Sequence, residues 1–350
     1  MKGEVIETLM RARGLTQADL ALAIGAAQAT VSRYISGART PEDSEIRRIA
    51  DELGVTPAFL VKEFRMRAAI GVSAHMRRQS STKVSMWKSA EAKLNELRMH
   101  MSMLTERAPL QTATHVPTFD YQFTKPAEAA RRVRTAWRVP LGPVRSVVDL
   151  METAGTIVCE LDLGTHRIDG LSQWVSDYPL VIVNSWSSPS RKRLTLAHEL
   201  GHLVMHADGY VDDEMIDVEA QANEFAAEFL MPEAEIRHQL KTLKLPNLLA
   251  LKLEWGVSMQ AIFERAFRLG LASGTDRQNF YRQISRKGWR TEEPEEDRVP
   301  VESPRLVSGL VAQFRSAGLT NDDFADLTGY ARDAVPDVFL PQSGRHLSSV

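Results

Sequence analysis

The first 63 residues show apolar positions at helical spacing, and glycines interrupt this pattern at short intervals. The interruptions fall at Gly14, Gly25 and Gly37, where helix C-termini are expected. Thr16 stands where a helix N-cap is expected. Short apolar-faced segments between such signals are typical of a small helical bundle. The pattern predicts an all-α domain over residues 1–63.

Residues 125–272 mix helical periodicity with short apolar runs that are typical of buried strands. Two such runs, Thr156–Leu161 and Leu180–Asn184, predict strands. A long apolar-faced segment, Val218–Leu230, predicts a helix that ends before Pro232. The mixture indicates an α+β fold that is mostly helical.

Residues 64–124 are helical in pattern and locally basic. Between Arg65 and Arg107 there are nine Lys or Arg and three Glu, a surplus of six. We interpret this surplus either as a solvated helix face or as help in holding phosphates. The segment is predicted to be a basic helical connector.

The acidic, Pro-containing run at 291–297 predicts a linker. Beyond it, residues 303–341 predict a small helical module for protein contact. Its segment Gly318–Gly329 shares six of twelve residues with Gly14–Gly25, and both a true repeat and a chance match are open. The four predicted units are residues 1–63, 64–124, 125–272 and 273–350.

The composition excludes several classes of protein. The formal net charge of −2 excludes a chain that binds nucleic acid through its overall charge, so any basic surface is local. The single Cys159 excludes a disulfide framework and suits a reducing compartment. No apolar stretch approaches about 18 residues, and the N-terminus lacks an apolar signal region. We expect a cytoplasmic protein without a membrane segment.

The most informative motif is His198-Glu199-Leu-Gly-His202. Residues four apart share a helix face, so His198 and His202 can bind one cation while Glu199 stands beside it. Two imidazoles suit Zn²⁺, and the adjacent carboxylate suits a general base that takes a proton from water. Such a short motif needs structural context, and Leu194–Met205 supplies it because this segment has the pattern of a closely packed, buried helix. A purely structural role for the three residues is therefore the weaker alternative.

A zinc site of this kind needs a third protein ligand, and a following helix often supplies it. Glu219 and Glu224 are the two candidates. Glu219 lies close to the apolar face of its predicted helix, whereas Glu224 is rotated away, so we favour Glu219. His206 continues the four-residue spacing; it could be a fourth ligand, an oxyanion donor or a packed histidine.

Two segments, Arg193–His206 and Glu219–Pro232, resemble the paired signature of the ImmA/IrrE family of zinc metallopeptidases. The run Pro179–Asn184 is similar to the strand that precedes the active-site helix in that family. The resemblance implies a gluzincin-like domain with His198, His202 and Glu219 as metal ligands and Glu199 as general base. It also implies cleavage of a helix-turn-helix repressor, which relieves repression of stress or mobile-element genes. The same ligands could hold Mn²⁺ or Fe²⁺ in place of Zn²⁺.

The segments Leu15–Gly25 and Gln28–Gly37 resemble the phage-repressor (Cro/C1, XRE) type of helix-turn-helix. The resemblance implies binding to double-stranded DNA. It implies that these residues face the major groove: Gln28, Ala29, Thr30 and Arg33. It implies that these residues contact phosphate: Arg13, Gln17 and Arg39.

Residues 1–65 carry nine basic and nine acidic side chains, so this unit is neutral. Because phosphate contacts supply much of the affinity for a duplex, the basic stretch after Arg65 or a homodimer is expected to add to it. The alternative is a helix-turn-helix that serves protein contact alone.

Three functions remain open from the sequence. The first is a regulator whose peptidase domain cuts a repressor, either another chain or itself within residues 64–124. The second is a transcription factor whose zinc domain senses metal or ligand without cutting. The third is an antitoxin-like or scaffold protein that uses the peptidase fold for binding. The presence of Glu199 favours the first, because a sensor needs ligands but no general base.

Overall fold

The computed structural model of the protein describes residues 3–64, 84–175, 178–207 and 217–335. Within these ranges the chain forms sixteen α-helices, two 3-10 helices and one three-stranded sheet. The predicted α+β, mostly helical fold class is therefore confirmed. None of the helices in these ranges has the length and hydrophobicity that a membrane span requires.

Five short helices form the N-terminal helical unit. They are α1 Gly3–Arg13, α2 Gln17–Ala23, α3 Gln28–Ile35, α4 Asp43–Glu52 and α5 Pro57–Val61. The Thr16 hydroxyl caps α2 by accepting a hydrogen bond from Asp19 N at 3.2 Å, and the Asp19 carboxylate accepts one from Thr16 N at 2.8 Å. Gly25 follows this helix with a φ of 66°, a conformation that favours glycine. The apolar core of the unit includes Ile6, Leu9, Val31 and Ile49.

A 24-residue helix, α6 Val84–Arg107, connects the N-terminal unit with the sheet. Met99 and Met103 on this helix pack into the core of the N-terminal unit. Leu94 and Leu97 pack into a second core that contains strand residues. A single helix is therefore buried in both cores. The domain boundaries predicted from the sequence stay a prediction.

The sheet has the strand order β1-β3-β2. Its strands are β1 Ile157–Leu161, β2 Gly170–Val175 and β3 Tyr178–Asn184. β1 is parallel to β3, with Ile157 opposite Leu180. β2 is antiparallel to β3, with Gly170 opposite Val183. The sequence pattern predicts β1 and β3 but not β2, because the sequence Gly-Leu-Ser-Gln-Trp-Val lacks a continuous apolar run.

Helices precede and follow the three strands in the chain. The four nearest in sequence are α7 Pro126–Ala136, α8 Val147–Thr153, α9 Pro189–Met205 and α10 Val218–Leu230. α9 and α10 approach closely because position 201 is glycine: a Cβ on Gly201 would lie 3.2 Å from Ala222 Cα. The later helices are α11 Glu233–Ile236, α12 Leu245–Trp255, α13 Met259–Arg268 and α14 Gly274–Arg286.

After Pro232, residues 233–242 do not form one continuous helix. The structure has the four-residue α11 followed by a 3-10 helix at Gln239–Lys241. Leu240 inside the 3-10 helix has a non-helical ψ of 15°, so a continuous α-helix does not form.

The acidic run 291–297, predicted as a linker, packs against α13. Glu293 is 7% exposed and accepts hydrogen bonds from Met259 N at 2.7 Å and Gln260 N at 3.0 Å. A carboxylate is stabilised there because the first amides of a helix are unpaired donors. The negative charge of Glu293 therefore holds the run 291–297 against α13, instead of keeping it in solvent as a linker. A 3-10 helix, Glu296–Arg298, follows.

Two helices, α15 Leu306–Ser316 and α16 Asn321–Thr328, form the C-terminal module. Tyr330 after α16 forms an isolated antiparallel bridge with Val55 of the N-terminal unit. Thr56 N donates to Gly329 O at 2.8 Å. The module predicted to contact proteins thus makes a contact within this chain.

The similarity between 14–25 and 318–329 has a local structural cause. Thr320 and Asp323 form a capping box at α16, as Thr16 and Asp19 do at α2. Both helices are followed by a glycine with positive φ, Gly25 and Gly329. Three of the six shared pairs therefore encode the same helix ends: Thr16 and Thr320, Asp19 and Asp323, Gly25 and Gly329.

Candidate metal centre and DNA-contacting residues

Helix α9 carries the two histidines and the glutamate of the motif. It begins after β3 with Pro189 in its first turn, a position where proline is favoured. His198 and His202 lie one turn apart on the same face. The opposite side of the helix is anchored in the core by Leu196, Leu200 and Leu203. This burial directs the two imidazoles towards α10.

Helix α10 supplies a third side chain. Asp217 caps this helix by accepting a hydrogen bond from Ala220 N at 2.9 Å, which places Glu219 in the first turn. His198 Nε2 lies 3.3 Å from Glu219 Oε2, and His202 Nε2 lies 3.3 Å from Glu219 Oε1. The two Nε2 atoms are 3.0 Å apart. The structure thus brings together the three residues predicted as ligands.

These separations fit a divalent metal ion. Ligand atoms bonded to a tetrahedral Zn²⁺ at about 2.0–2.1 Å lie about 3.3 Å from one another, close to the separations of these donor atoms. Two imidazoles with one carboxylate are also the donors of many catalytic zinc sites. The donor set therefore suits a metal ion, and zinc as its identity stays a prediction.

Burial and neighbouring charges shift the pKa values of the two histidines in opposite directions. Burial lowers the pKa of His202 to about 4, and hydrogen bonding to Glu219 offsets this only in part. Burial also lowers the pKa of His198, but the hydrogen bond to Glu219 and the charges of Glu199 and Glu219 outweigh it, so that pKa is raised. His202 is therefore neutral at pH 7, the state in which imidazole binds a metal.

Glu199 is buried beside the three donors but does not belong to their group. The first residue of β2 lies against it, since a Cβ on Gly170 would be 3.4 Å from Glu199 Cγ and 2.6 Å from Thr195 Cγ2. The absence of a side chain at Gly170 lets β2 approach the carboxylate. Glu224, the other candidate for a third ligand, is exposed and lies outside the group.

His206 contacts His202 instead of joining the three donors. Its Nδ1 lies 3.1 Å from His202 Nδ1, and its Nε2 lies 2.8 Å from Gln221 Oε1. Because an amide oxygen only accepts, His206 Nε2 donates to Gln221, and His206 Nδ1 accepts from His202 Nδ1. His202 Nε2 is then unprotonated and faces Glu219. Sequence reasoning missed Gln221, whose only signal is its place two residues after Glu219.

The residues predicted to contact DNA lie on α1, on α2, on α3 and after α3. Those with exposed side chains are Gln28, Ala29, Arg33 and Arg39, and Arg13 and Gln17 are half-buried. Thr30 differs because it is only 8% exposed, and its hydroxyl lies 3.4 Å from Arg33 Nη2. It offers little surface to a base. Arg39 bonds Glu45 at 2.9 Å, so a phosphate would compete with that carboxylate.

Two protein-family models match separate parts of the chain. Residues 6–60 match a helix-turn-helix model. Residues 151–267 match the IrrE N-terminal-like domain, peptidase family M78. This IrrE-like region contains the three donors and Glu199, and both resemblances stated from the sequence are confirmed in the predicted order. A search of curated proteins finds no match to the chain.

The two matches define the general nature of the protein. The helix-turn-helix unit is of a type that binds DNA, and the IrrE-like region is of the metallopeptidase type. The chain is therefore a regulator with a protease-like domain.

Proposed function

We propose that this protein is a cytoplasmic DNA-binding regulator whose IrrE-like region is a zinc-dependent endopeptidase. It cuts a helix-turn-helix repressor and so relieves repression of stress or mobile-element genes. The catalytic part is carried by one observation: Glu199 stands beside, but outside, the group of His198, His202 and Glu219. A metal sensor needs the three ligands and has no use for an additional buried base.

Each residue of the centre has one task in this mechanism. His198, His202 and Glu219 would hold the metal ion, which when bound would supply Lewis acidity to activate water and polarise a carbonyl group. Glu199 accepts a proton from the attacking water and delivers it to the leaving amine. The absence of a side chain at Gly170 lets the β2 backbone pack directly against α9 beside this carboxylate.

The helix-turn-helix unit brings the peptidase to an operator where its target sits. Exposed Gln28 and Arg33 are proposed to contact base edges, with Gln17 and Arg39 on phosphate. The unit is neutral in charge, so a homodimer with two such units would supply the additional phosphate contacts.

Self-cleavage is disfavoured within α6. Residues 84–107 form this helix, and a bond in a buried helix must unfold before a peptidase can reach it. Residues 65–83 lie outside the described part of the chain, and residues 108–124 are irregular and mostly exposed. We propose another chain as the substrate, with self-cleavage outside α6 as the alternative.

A cleavage assay tests this function. The protein is loaded with Zn²⁺ or Mn²⁺ and incubated with repressors encoded near its gene, and mass spectrometry detects a discrete cut. Glu199→Gln is expected to slow the cut about a hundredfold to ten-thousandfold, because the general base is lost. Glu224→Gln, an exposed site on α10, should cut as the wild type does. Absence of cleavage with either metal would contradict the proposal.

A second function, metal or ligand sensing without cleavage, is favoured by a different observation. Helix α6 is buried both in the core of the N-terminal unit and in the core that contains the sheet. A packed element shared in this way can couple two sites. If this function is correct, zinc changes operator affinity equally in the wild type and in Glu199→Gln, and no repressor is cut.

A further inference from the structure

A cavity of about 380 Å³ opens beside the candidate metal centre, among helices α9, α10, α13 and α14. Two of its lining residues also border the centre. Thr195 lies one turn before Glu199 on α9, and Asn223 lies one turn after Glu219 on α10. Asn223 Nδ2 donates to Glu219 O at 2.7 Å. A group bound in the cavity would therefore lie next to the reacting bond.

The carboxylates that line this cavity all contact cations of the protein itself. The pairs are Asp169 with Arg191, Glu264 with Arg277, and both Glu293 and Glu296 with Lys252. Glu293 also accepts from the first amides of α13, as described above. Each of these carboxylates therefore already contacts a cation of the protein, and Glu293 and Glu296 share one.

Two of the four arginines in the lining are also paired: Arg191 with Asp169, and Arg265 with Glu228. Arg265 also donates to Met231 O at 3.1 Å. Arg268 and Arg290 line the cavity with exposed side chains, and no ion pair joins either to a carboxylate among the described residues. We name this cavity, with Arg268 and Arg290 at its exposed rim, the arginine pocket.

The guanidinium of Arg290 stacks on an aromatic ring and keeps its hydrogen-bond donors open to a ligand. Its guanidinium carbon lies 4.8 Å from the ring centroid of Tyr281. Such stacking orients the guanidinium but does not occupy its hydrogen-bond donors, which lie in the plane of the group. The arginine pocket therefore combines two arginines that have no carboxylate partner among the described residues with the oriented donors of Arg290.

We propose that the arginine pocket binds a carboxylate of the peptide substrate, beside the bond that Glu199 helps to cut. The inference rests on the proposed peptidase function. Arginine donors match the geometry of a carboxylate, and a basic group would be repelled by Arg268 and Arg290. The aliphatic part of the bound residue would contact the apolar side chains of the lining, which are Leu194, Ala227, Met231 and Ala261.

The test measures binding, so it does not depend on turnover. Full-length, zinc-loaded Glu199→Gln protein is titrated into fluorescent octapeptides of Ala and Ser. One peptide has a central Glu and an amidated C-terminus, and its partner has Gln in place of Glu. A third contains only Ala and Ser and ends in a free carboxylate. Fluorescence anisotropy gives the dissociation constants.

We expect a carboxylate peptide to bind about fivefold more tightly than its neutral partner. Arg268→Gln and Arg290→Gln should each reduce this advantage, whereas Arg286→Gln, an exposed site on α14 outside the pocket, should keep it. Preference for the Glu peptide assigns the pocket to an acidic side chain, and preference for the third peptide assigns it to a chain terminus.

Equal binding of all three peptides would overturn the proposal, as would an unchanged advantage in both pocket variants. The outcome is separate from that of the cleavage assay. If the carboxylate preference is found but the wild type cuts no repressor, the proposed peptidase function fails while the pocket stands. If the wild type cuts and shows no preference, the pocket fails alone.

Discussion

At the scale of single residues, the orientation of His202 depends on a hydrogen-bond chain that ends at Gln221. His206 lies between them, with contacts of 3.1 Å to His202 and 2.8 Å to Gln221. Outer residues of this kind fix the ring and the tautomer of a metal-binding histidine, and their loss commonly weakens metal binding by about tenfold to a hundredfold. We expect Gln221→Leu to weaken zinc binding to this extent, measured by competition with a chromophoric chelator.

Two matched variants make this prediction specific. Gln221→Glu keeps an acceptor for His206 Nε2 and should retain most of the affinity. Glu224→Gln alters a neighbouring exposed position on α10 and should have no effect. Wild-type zinc affinity in Gln221→Leu would show that His206 does not need its partner.

Residues of the centre differ in how far sequence could predict them. His198, Glu199 and His202 follow from spacing on one helix, and Glu219 follows from its place near the apolar face of the next. Gly170 and Gln221 could not be found in this way. Their importance arises from what lies opposite them in space, Glu199 and His206, and nothing in the local sequence marks such neighbours.

At the scale of elements, helix α9 is tied to the C-terminal part of the chain by a buried ion pair between Arg193 and Glu302. Arg193 also donates to Val144 O at 2.6 Å, and Glu302 accepts from Val148 N at 2.8 Å. Burial lowers the pKa of Arg193 to about 10, which still leaves it charged at neutral pH. Removing either Arg193 or Glu302 therefore leaves the other charge buried without its partner.

Arg193→Met should lower the free energy of unfolding by about 3–5 kcal/mol, because Glu302 is left buried without its cation. The double variant Arg193→Met/Glu302→Gln removes both charges while keeping an acceptor for Val148 N, and should be more stable than Arg193→Met. Urea denaturation of the variants measures both effects. A double variant that is less stable than Arg193→Met would contradict this account of the pair.

Helices and strands could be predicted where the residues of the element itself carry the hydrophobic pattern. The run Val218–Leu230 predicts α10 with the bounds that the structure has. Strand β2 was not predictable, because its pairing with β3 and the packing of α9 against it supply the stability that its polar sequence lacks. The acidic run 291–297 likewise has the composition of a linker, and its burial depends on the distant amides of α13.

At the scale of the whole molecule, the N-terminal unit, α6 and the C-terminal module meet around His100. This histidine is fully buried between the rings of Phe59 and Tyr330, whose centroids are 4.3 Å and 3.4 Å from its own. Its Nδ1 lies 2.7 Å from Thr328 O and donates to it, because a carbonyl oxygen only accepts. Its Nε2 lies 4.0 Å from Glu96, which is already paired with Arg13.

Acid should therefore destabilise this junction, because His100 takes up a proton in the unfolded chain at a pH where it stays neutral in the fold. Burial lowers its pKa from 6.5 to about 3. Because the folded pKa is the lower one, the stabilisation is complete above pH 6.5 and is lost as the pH falls from 6.5 towards 3. Linkage gives a loss of about 1.3 kcal/mol between about pH 7.5 and about pH 5.5 from this residue.

The measurement compares the free energy of unfolding at these two pH values in the wild type and in His100→Gln, which keeps a donor for Thr328 O but does not titrate. Contributions from the other histidines are common to both proteins and cancel in the difference. We expect the wild type to lose about 1.3 kcal/mol more than His100→Gln between the two pH values. The same loss in both proteins would mean that His100 is solvated at the junction, and that the C-terminal module does not seal the N-terminal unit against α6.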